Sequence, residues 1–190
     1  TQEEVPLDIA LLGSDLDGDA LTFRIVAGPQ DGVLSELNGE TGELVYTPNT
    51  NFVGSDGFTF RVHDGTVDSE IATVSIEVGG LNDAPVAQGQ QLATDEDVAL
   101  DVTLTATDID GDELTFRVVT GPGNGVLSGF DAETGEVVYT PNANFHGSDS
   151  FTFRANDGAL DSNIVAVTIE VAAVNDAPVA VSAQASTDED

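Results

Sequence analysis

The chain has 190 residues, enough for one large domain or two ordinary ones. The chain contains 35 acidic residues and only four basic ones, which gives a net charge of −31. This charge excludes nucleic acid and anionic membranes as partners, because both bind basic surfaces. Hydrophobic residues make up 40% of the chain and cysteine is absent, so we expect a packed core without disulfides.

The sequence repeats itself at an offset of 93 residues without a gap. Asp15 corresponds to Asp108, Tyr46 corresponds to Tyr139, and the TDED sequence of residues 94–97 returns at 187–190. Repeats of this length are whole domains rather than solenoid units. We therefore expect an internal piece of a longer array. No apolar run in the sequence is long enough to span a membrane, so we expect no membrane insertion. It divides into repeat 1 at residues 1–83, repeat 2 at 84–176, and a linker with the first strand of a next repeat at 177–190.

The elements predicted along each repeat are β-strands. Apolar residues alternate with polar ones at 21–25, 58–62 and 74–78, and turn sequences such as GPQDG and HDG separate these runs. About seven short strands per repeat, with no helical run, are typical of an all-β fold of antiparallel, immunoglobulin-like β-sandwiches. Tyr46 and Tyr139 are predicted to be core or corner residues. Repeat 1 begins without its own first strand, which is then missing or supplied by another unit.

Three aspartates at alternate positions surround one glycine in each repeat. They are Asp108, Asp110 and Asp112 in DIDGD, and Asp15, Asp17 and Asp19 in DLDGD. Glycine permits a tight loop in which the three carboxylates converge. Carboxylate oxygens are the ligands that calcium prefers, and bound calcium would turn their mutual repulsion into coordination. The alternative is a solvated turn with Asx hydrogen bonds.

The order of motifs in both repeats resembles tandem cadherin-like repeats of large bacterial surface and adhesin proteins. The motifs of the second repeat are TDED, TDIDGDELTFRVV, AETGEVVYTP, FTFRANDG, VTIEV and VNDAPVA. The resemblance spans both repeats and implies tandem immunoglobulin/cadherin-like antiparallel β-sandwiches. It also implies calcium sites at the junctions of neighbouring repeats, with the following ligands. They are the early glutamates Glu3 and Glu96; the linker pairs Asn82 with Asp83 and Asn175 with Asp176; the loop pairs Asp108 with Asp110 and Asp15 with Asp17; and the late aspartates Asp157 and Asp64.

The sequence departs from cadherins at two places. Their Asp-Arg-Glu segment is replaced by YTPNTNF and YTPNANF, which contain no acid, and the linker reads N-D-A-P rather than N-D-N-A-P. These losses remove ligands for part of a multi-calcium cluster. The resemblance best supports one ion held by Asn82, Asp108, Asp110 and Asp157, and a second held by Glu3, Asp83 and Asp110.

The sequence predicts a calcium-binding structural repeat of a large extracellular adhesin, surface or fibre protein, with Ca²⁺ stiffening the junctions between neighbouring repeats. One alternative is a self-assembling filament subunit joined head to tail by donor-strand exchange, because residues 177–190 repeat the first strand of repeat 2. Another is a module that binds carbohydrate or a cell-surface ligand, although only 6% of residues are aromatic. High acidity also suits a high-salt habitat.

No catalytic constellation is predicted. The acids lie in repeated turns rather than in a cleft, and no cysteine nucleophile, Ser-His-Asp order or phosphate loop is found. The EF-hand pattern fails because its sixth position requires glycine, and Ala20 and Glu113 occupy that position here. The four basic residues are arginines that each follow a phenylalanine, where we expect them to pair with carboxylates across strands. They are Arg24, Arg61, Arg117 and Arg154.

Overall fold

The computed structural model describes residues 1–184, so residues 185–190, which include the second TDED sequence, lie outside the described part. The described chain consists of β-strands and connecting turns, and no helix is assigned within it. It divides into two compact units, Thr1–Asn82 and a second that begins at Asp83. The predicted all-β fold is confirmed.

The first unit contains six strands in two three-stranded sheets. One sheet has the order β1-β4-β3 and the other β2-β5-β6, and neighbouring strands are antiparallel. The alternating runs predicted from the sequence form β2, β5 and β6. The strands are β1 (Leu7–Ala10), β2 (Thr22–Ala27), β3 (Gly32–Leu34), β4 (Glu43–Pro48), β5 (Gly54–His63) and β6 (Ala72–Val78).

The second unit contains nine strands in three sheets. Their orders are β9-β13-β12, β11-β14-β15-β8 and the two-stranded β7-β10. Pairing is antiparallel except for β8, which runs parallel to β15 from Gln90 opposite Val167 to Asp95 opposite Ala172. The strands are β7 (Val86–Gln88), β8 (Gln90–Asp95), β9 (Leu100–Thr103), β10 (Thr105–Thr107), β11 (Thr115–Thr120), β12 (Gly125–Ser128), β13 (Glu136–Pro141), β14 (Gly147–Asn156) and β15 (Val165–Ala172).

Each unit has its own core, built from the inward side chains of its sheets. Residues one period apart occupy the same place: Tyr46 and Tyr139 are both fully buried, and Phe58 and Phe151 pack beside them. Burial on alternate strand positions explains why the period-2 pattern was visible in the sequence. The tyrosines are core residues, as predicted.

The two units differ in what pairs with the outer edge of their last strand, which is β6 in the first unit and β15 in the second. In the second unit β8 pairs with β15 along its length. In the first unit a single parallel bridge between Gln2 and Gly79 occupies the corresponding place beside β6. Within the described chain we find no helix long and apolar enough to span a membrane.

Candidate calcium site

The start of the second unit lies beside its aspartate-rich loop because β7 pairs with β10. Thr107, at the end of β10, lies opposite Val86 in an antiparallel register. Continuing that register by three residues places Asp110 opposite Asp83. The Asp83 N–H donates to Asp110 Oδ2 at 2.8 Å. Strand pairing therefore brings a predicted linker ligand together with a predicted loop ligand inside one unit.

The side chain of Asp108 shapes the loop itself. Its Oδ1 accepts hydrogen bonds from the N–H groups of Asp110 (2.9 Å), Gly111 (3.1 Å) and Asp112 (3.3 Å). Gly111 has a φ of 81°, a value that glycine adopts without strain. The tight turn brings together one carboxylate oxygen each from Asp108, Asp110 and Asp112, all within 4.8 Å of one another.

The second carboxylate oxygen of Asp108 has an unsatisfied environment. Asp108 Oδ2 is buried and has no hydrogen-bond partner. A buried polar atom without a partner is costly, and such atoms are rare in native proteins. A hard divalent cation with oxygen ligands would satisfy it and would offset the repulsion among the three carboxylates. The residues present therefore fit a calcium ion.

The late aspartates form the same turn in both units. In the second unit, Asp157 Oδ1 accepts hydrogen bonds from the N–H groups of Ala159 (2.7 Å) and Leu160 (2.6 Å). In the first unit, Asp64 Oδ1 accepts hydrogen bonds from the N–H groups of Thr66 (2.6 Å) and Val67 (2.7 Å). These bonds, chiefly the one from Val67, hold the pKa of Asp64 below its usual value. The Asp64 side chain is thereby held in its ionised form, and Asp157 makes the same pair of backbone contacts.

In the first unit the loop and the late aspartate come together. Asp15 and Asp64 line one shallow cavity of about 180 Å³, with Ser14 and Asp68 beside them. Asp15 Oδ1 accepts from the N–H groups of Asp17 and Asp19, as in the second unit. Among the described residues, however, Asp15, Asp17 and Asp19 do not gather their carboxylates as closely as their counterparts do.

The early glutamates lie at the other end of each unit. Glu3 is 2% exposed and accepts the Leu81 N–H at 2.6 Å; Glu96 is 8% exposed and accepts the Val174 N–H at 2.5 Å. Each acid therefore fixes the chain just after the last strand of its own unit. Asn82, Asn175 and Asp176 follow these points, and all three are exposed.

Sequence reasoning missed a pair of aspartates, one buried and one half-buried, that accept hydrogen bonds from the core tyrosines. Asp149 is 6% exposed and accepts from the Tyr139 hydroxyl (2.9 Å) and from three backbone N–H groups. Asp56 has the same partners in the first unit, with Tyr46 at 2.8 Å. The available signal was a tyrosine followed by an aspartate ten residues later, at the same place in both repeats.

The sequence profile of the bacterial Ig domain matches residues 1–77 and 82–170, which cover nearly the whole chain. The chain belongs to the bacterial Ig domain family. Domains of this family are typically extracellular and without enzymatic activity. The family confirms the immunoglobulin-like part of the predicted resemblance.

Parts of larger known proteins are similar to this bacterial Ig chain. Integrin beta-like protein A of Dictyostelium discoideum is 34% identical over 113 residues, which are 51% of this chain and 6% of that protein. An endo-fucoidan hydrolase from glycoside hydrolase family 107 is 28% identical with a TM-score of 0.42, over 92% of this chain and 27% of that chain. The chain thus spans a small part of these relatives.

The fold is shared with cadherin repeats. The EC1-2 fragment of human protocadherin-24 superposes with a TM-score of 0.61 at 15% identity, over 87% of this chain and 88% of that one. Identity this low supports a common fold alone. The cadherin-like β-sandwich predicted from the sequence is therefore confirmed at the level of fold.

Proposed function

We propose that this chain is a calcium-binding structural repeat of a large extracellular surface protein. The observation that supports the proposal best is the loop of the second unit, where three carboxylates converge and a buried oxygen of Asp108 has no protein partner. Calcium takes six to eight oxygen ligands in forgiving geometry, whereas magnesium demands a near-octahedral shell and retains its waters. The open, all-oxygen loop suits calcium better.

The ligands proposed for this ion extend beyond the loop. Asp108, Asp110 and Asp112 supply carboxylates, and Asp83, whose backbone is tied to Asp110, lies at the same end of the second unit. Asp157 is a further proposed ligand, because its counterpart Asp64 shares a cavity with Asp15. Asn82, Glu3, Asp17, Asp19, Glu96, Asn175 and Asp176 stay predictions from the family resemblance.

The same ion is proposed to stiffen the junction between neighbouring repeats. In chain order, Glu3 fixes Leu81 at the end of the first unit, and Asp110 fixes Asp83 at the start of the second. Only one residue, Asn82, separates these two anchored positions along the sequence. A cation bound there would restrict the backbone between the repeats, so that binding energy is converted into order.

Calcium titration of the purified chain tests the binding step. We expect the wild-type chain to bind calcium, and Asp108→Asn to weaken binding at the second loop by about tenfold or more, because one charged ligand is lost. Asp101→Asn is the matched control, since Asp101 is an exposed acid on strand β9 of the same unit. Equal affinity of all three proteins would contradict the site.

Small-angle scattering with calcium and with chelator tests the stiffening step separately. We expect a narrower distribution of overall dimensions with calcium, and no such change for Asp108→Asn. Calcium binding without any change in the scattering curve would leave a binding module but would contradict a stiffened junction.

A second candidate function is head-to-tail assembly by strand addition. It is favoured by the difference between the units: one edge of β15 is covered by β8, whereas the edge of β6 that does not pair with β5 is met, within the described chain, by Thr1 at Glu77 and by the Gln2–Gly79 bridge just after the strand. Residues 177–190 of another copy would supply the covering strand; the last six of them lie outside the described residues. Sedimentation of the 190-residue chain, compared with one truncated after Asp176, would test this: equal monomeric behaviour contradicts it.

A further inference from the structure

We propose that Asn163 is a positioning residue for the calcium loop of the second unit. Its side-chain amide holds strand β7, which begins three residues after Asp83, so that Asp83 stays beside Asp110. This inference rests on the calcium function proposed above and assigns a role to a residue that is not itself a ligand.

The contact consists of two hydrogen bonds between one side chain and one backbone residue. The Ala87 N–H donates to Asn163 Oδ1 at 2.9 Å, and Asn163 Nδ2 donates to the Ala87 carbonyl at 3.3 Å. A carboxamide has both an acceptor and a donor, so it can replace a neighbouring strand at one residue. Ala87 is 4% exposed, and its backbone groups would lack this partner without Asn163.

Asn163 is itself held in place by the residue before it. Ser162 Oγ accepts the Ala155 N–H of strand β14 at 2.8 Å and donates to the Asn163 carbonyl at 2.8 Å. Ser162 is 8% exposed, so this bridge lies inside the unit. The Asn163 amide therefore connects β7 to the largest sheet of the second unit.

Strand β7 needs such a connection because its own ladder is short. It has three residues and pairs with β10 in a two-stranded sheet, an arrangement that is marginal by itself. Asp83 is tied to the loop by its N–H, Pro85 is buried, and Ala87 is held by Asn163. Loss of the last contact would release the segment that sets the distance between Asp83 and Asp110.

The first unit provides an internal comparison. Glu70 occupies the position equivalent to Asn163, and Ser69 keeps the bridge, accepting the Val62 N–H and donating to the Glu70 carbonyl. A glutamate carboxylate has no N–H to donate, so it cannot make the two-way contact. A glutamate could therefore not replace the two-way contact between Asn163 and Ala87, here called the latch on β7, and Glu70→Ala is a matched control one period away.

The test uses the 190-residue chain with three variants: N163A, N163D and the control E70A. Amide hydrogen exchange of Ala87 in chelator measures the latch, and calcium titration followed at the amides of Gly111 and Asp112 by NMR measures affinity at the loop. For N163A we expect exchange of Ala87 to accelerate about tenfold, and calcium affinity at the loop to fall about tenfold. N163D keeps the acceptor for the Ala87 N–H, so its exchange should lie between those of N163A and wild type.

The two readouts separate positioning from general instability and from the calcium proposal. Acceleration confined to residues 84–88, with core amides of β13 and β14 unchanged, is expected for a latch. Faster Ala87 exchange with unchanged calcium affinity would overturn the positioning role, and unchanged Ala87 exchange would overturn the latch. Failure of the wild-type chain to bind calcium would overturn the proposed function itself, and with it the role of Asn163 toward the ion.

Discussion

At the scale of single residues, a fully buried tyrosine in each unit donates a hydrogen bond to an aspartate. Burial by itself would raise the pKa of Asp149, but backbone N–H groups of Gly123, Asn124 and Ser150, together with the Tyr139 hydroxyl, outweigh it and lower that pKa. Burial and the neighbouring carboxylate raise the pKa of Tyr46 to about 12. The tyrosine stays a neutral donor and the aspartate an ionised acceptor.

Replacement of these tyrosines by phenylalanine should destabilise the two units unequally. In Tyr139→Phe the buried Asp149 loses one of four donors, which we expect to cost about 1–3 kcal/mol of unfolding free energy. Tyr46→Phe should cost less, because Asp56 is only half-buried and water can replace the hydroxyl. Urea unfolding of the two variants measures both costs, and a larger loss for Tyr46→Phe would contradict this explanation.

Acid should remove the contribution of the same carboxylate. Since the folded-state pKa of Asp149 lies below its unfolded-state value near 3.8, its stabilisation is fully present above that value. It is lost as the pH falls from there through the folded-state pKa. Asp149→Asn should therefore unfold with a weaker pH dependence below about pH 4 than the wild-type chain. Parallel pH curves for the two proteins would rule out this source of acid sensitivity.

The residue scale also marks where sequence reasoning ends. Tyr46 and Tyr139 were predicted as core residues because they lie in alternating runs, and both are fully buried. Asp149 was not found, because an aspartate in a Gly/Ser-rich segment resembles a solvated turn. Its burial depends on the loop of Gly123 and Asn124 folding over it, which no local pattern contains.

At the scale of strands, the four arginines lie on strands as the alternating pattern predicted, but each lies opposite another arginine rather than a carboxylate. Arg24 lies directly opposite Arg61, and Arg117 directly opposite Arg154. The carboxylates come from the following loops: Asp68 pairs with Arg61 at 2.8 Å, and Asp161 pairs with Arg154 at 2.7 Å. These partly exposed pairs offset the repulsion between like charges rather than adding much net stability.

Strand β12 depends on a glycine that gives room to the buried tyrosine. A Cβ on Gly125 would lie 2.4 Å from Cε2 of Tyr139, whereas a Cβ on Gly121 would meet nothing within 4 Å. Gly125→Ala should therefore cost about 2 kcal/mol or more, and the control Gly121→Ala about 0.5 kcal/mol or less. Thermal unfolding compares the two variants; equal melting temperatures would show that the ring moves aside without cost.

Strands were predicted well where one face of the strand is exposed to solvent and the other is buried. Apolar and polar residues alternate at 21–25, 58–62 and 74–78, and from these runs the strands β2, β5 and β6 were found. The parallel pairing of β8 with β15 was not foreseen, because residues 90–95 read QQLATD and have little apolar alternation. Partner and direction of such a strand are set by chain connectivity rather than by its composition.

At the scale of the whole molecule, the charge of −31 should make stability depend on salt. In chelator, raising sodium chloride from about 0.1 M to about 1 M shortens the Debye length from about 10 Å to about 3 Å and screens the repulsion. We expect the melting temperature to rise by about 5 °C, which corresponds to ~1 kcal/mol in the unfolding free energy of each unit. Calorimetry measures this shift. With calcium bound the rise should be smaller, and a melting temperature independent of salt would contradict the argument.

The residues of the candidate site could be predicted from the sequence, but how closely their carboxylates converge in each unit could not. The spacing of Asp108, Asp110 and Asp112 around Gly111 was enough to predict convergence, and the carboxylates converge. The same spacing in Asp15, Asp17 and Asp19 gives a looser arrangement. In the second unit the segment just before strand β7 also contacts the loop, because the Asp83 N–H donates to Asp110 Oδ2. The motif therefore identifies the candidate carboxylates, but it does not indicate how closely they meet in each unit.

The parallel ladder between β8 and β15 determines how the second unit would respond to tension. Force on the N-terminal side draws β8 backwards, and force on the C-terminal side draws β15 forwards, along the direction of the strands. The six residue pairs from Gln90–Val167 to Asp95–Ala172 are then loaded in shear, all together. A hairpin pulled from its open end yields one pair after another. A bacterial Ig unit that closes with such a ladder is suited to bear a mechanical load.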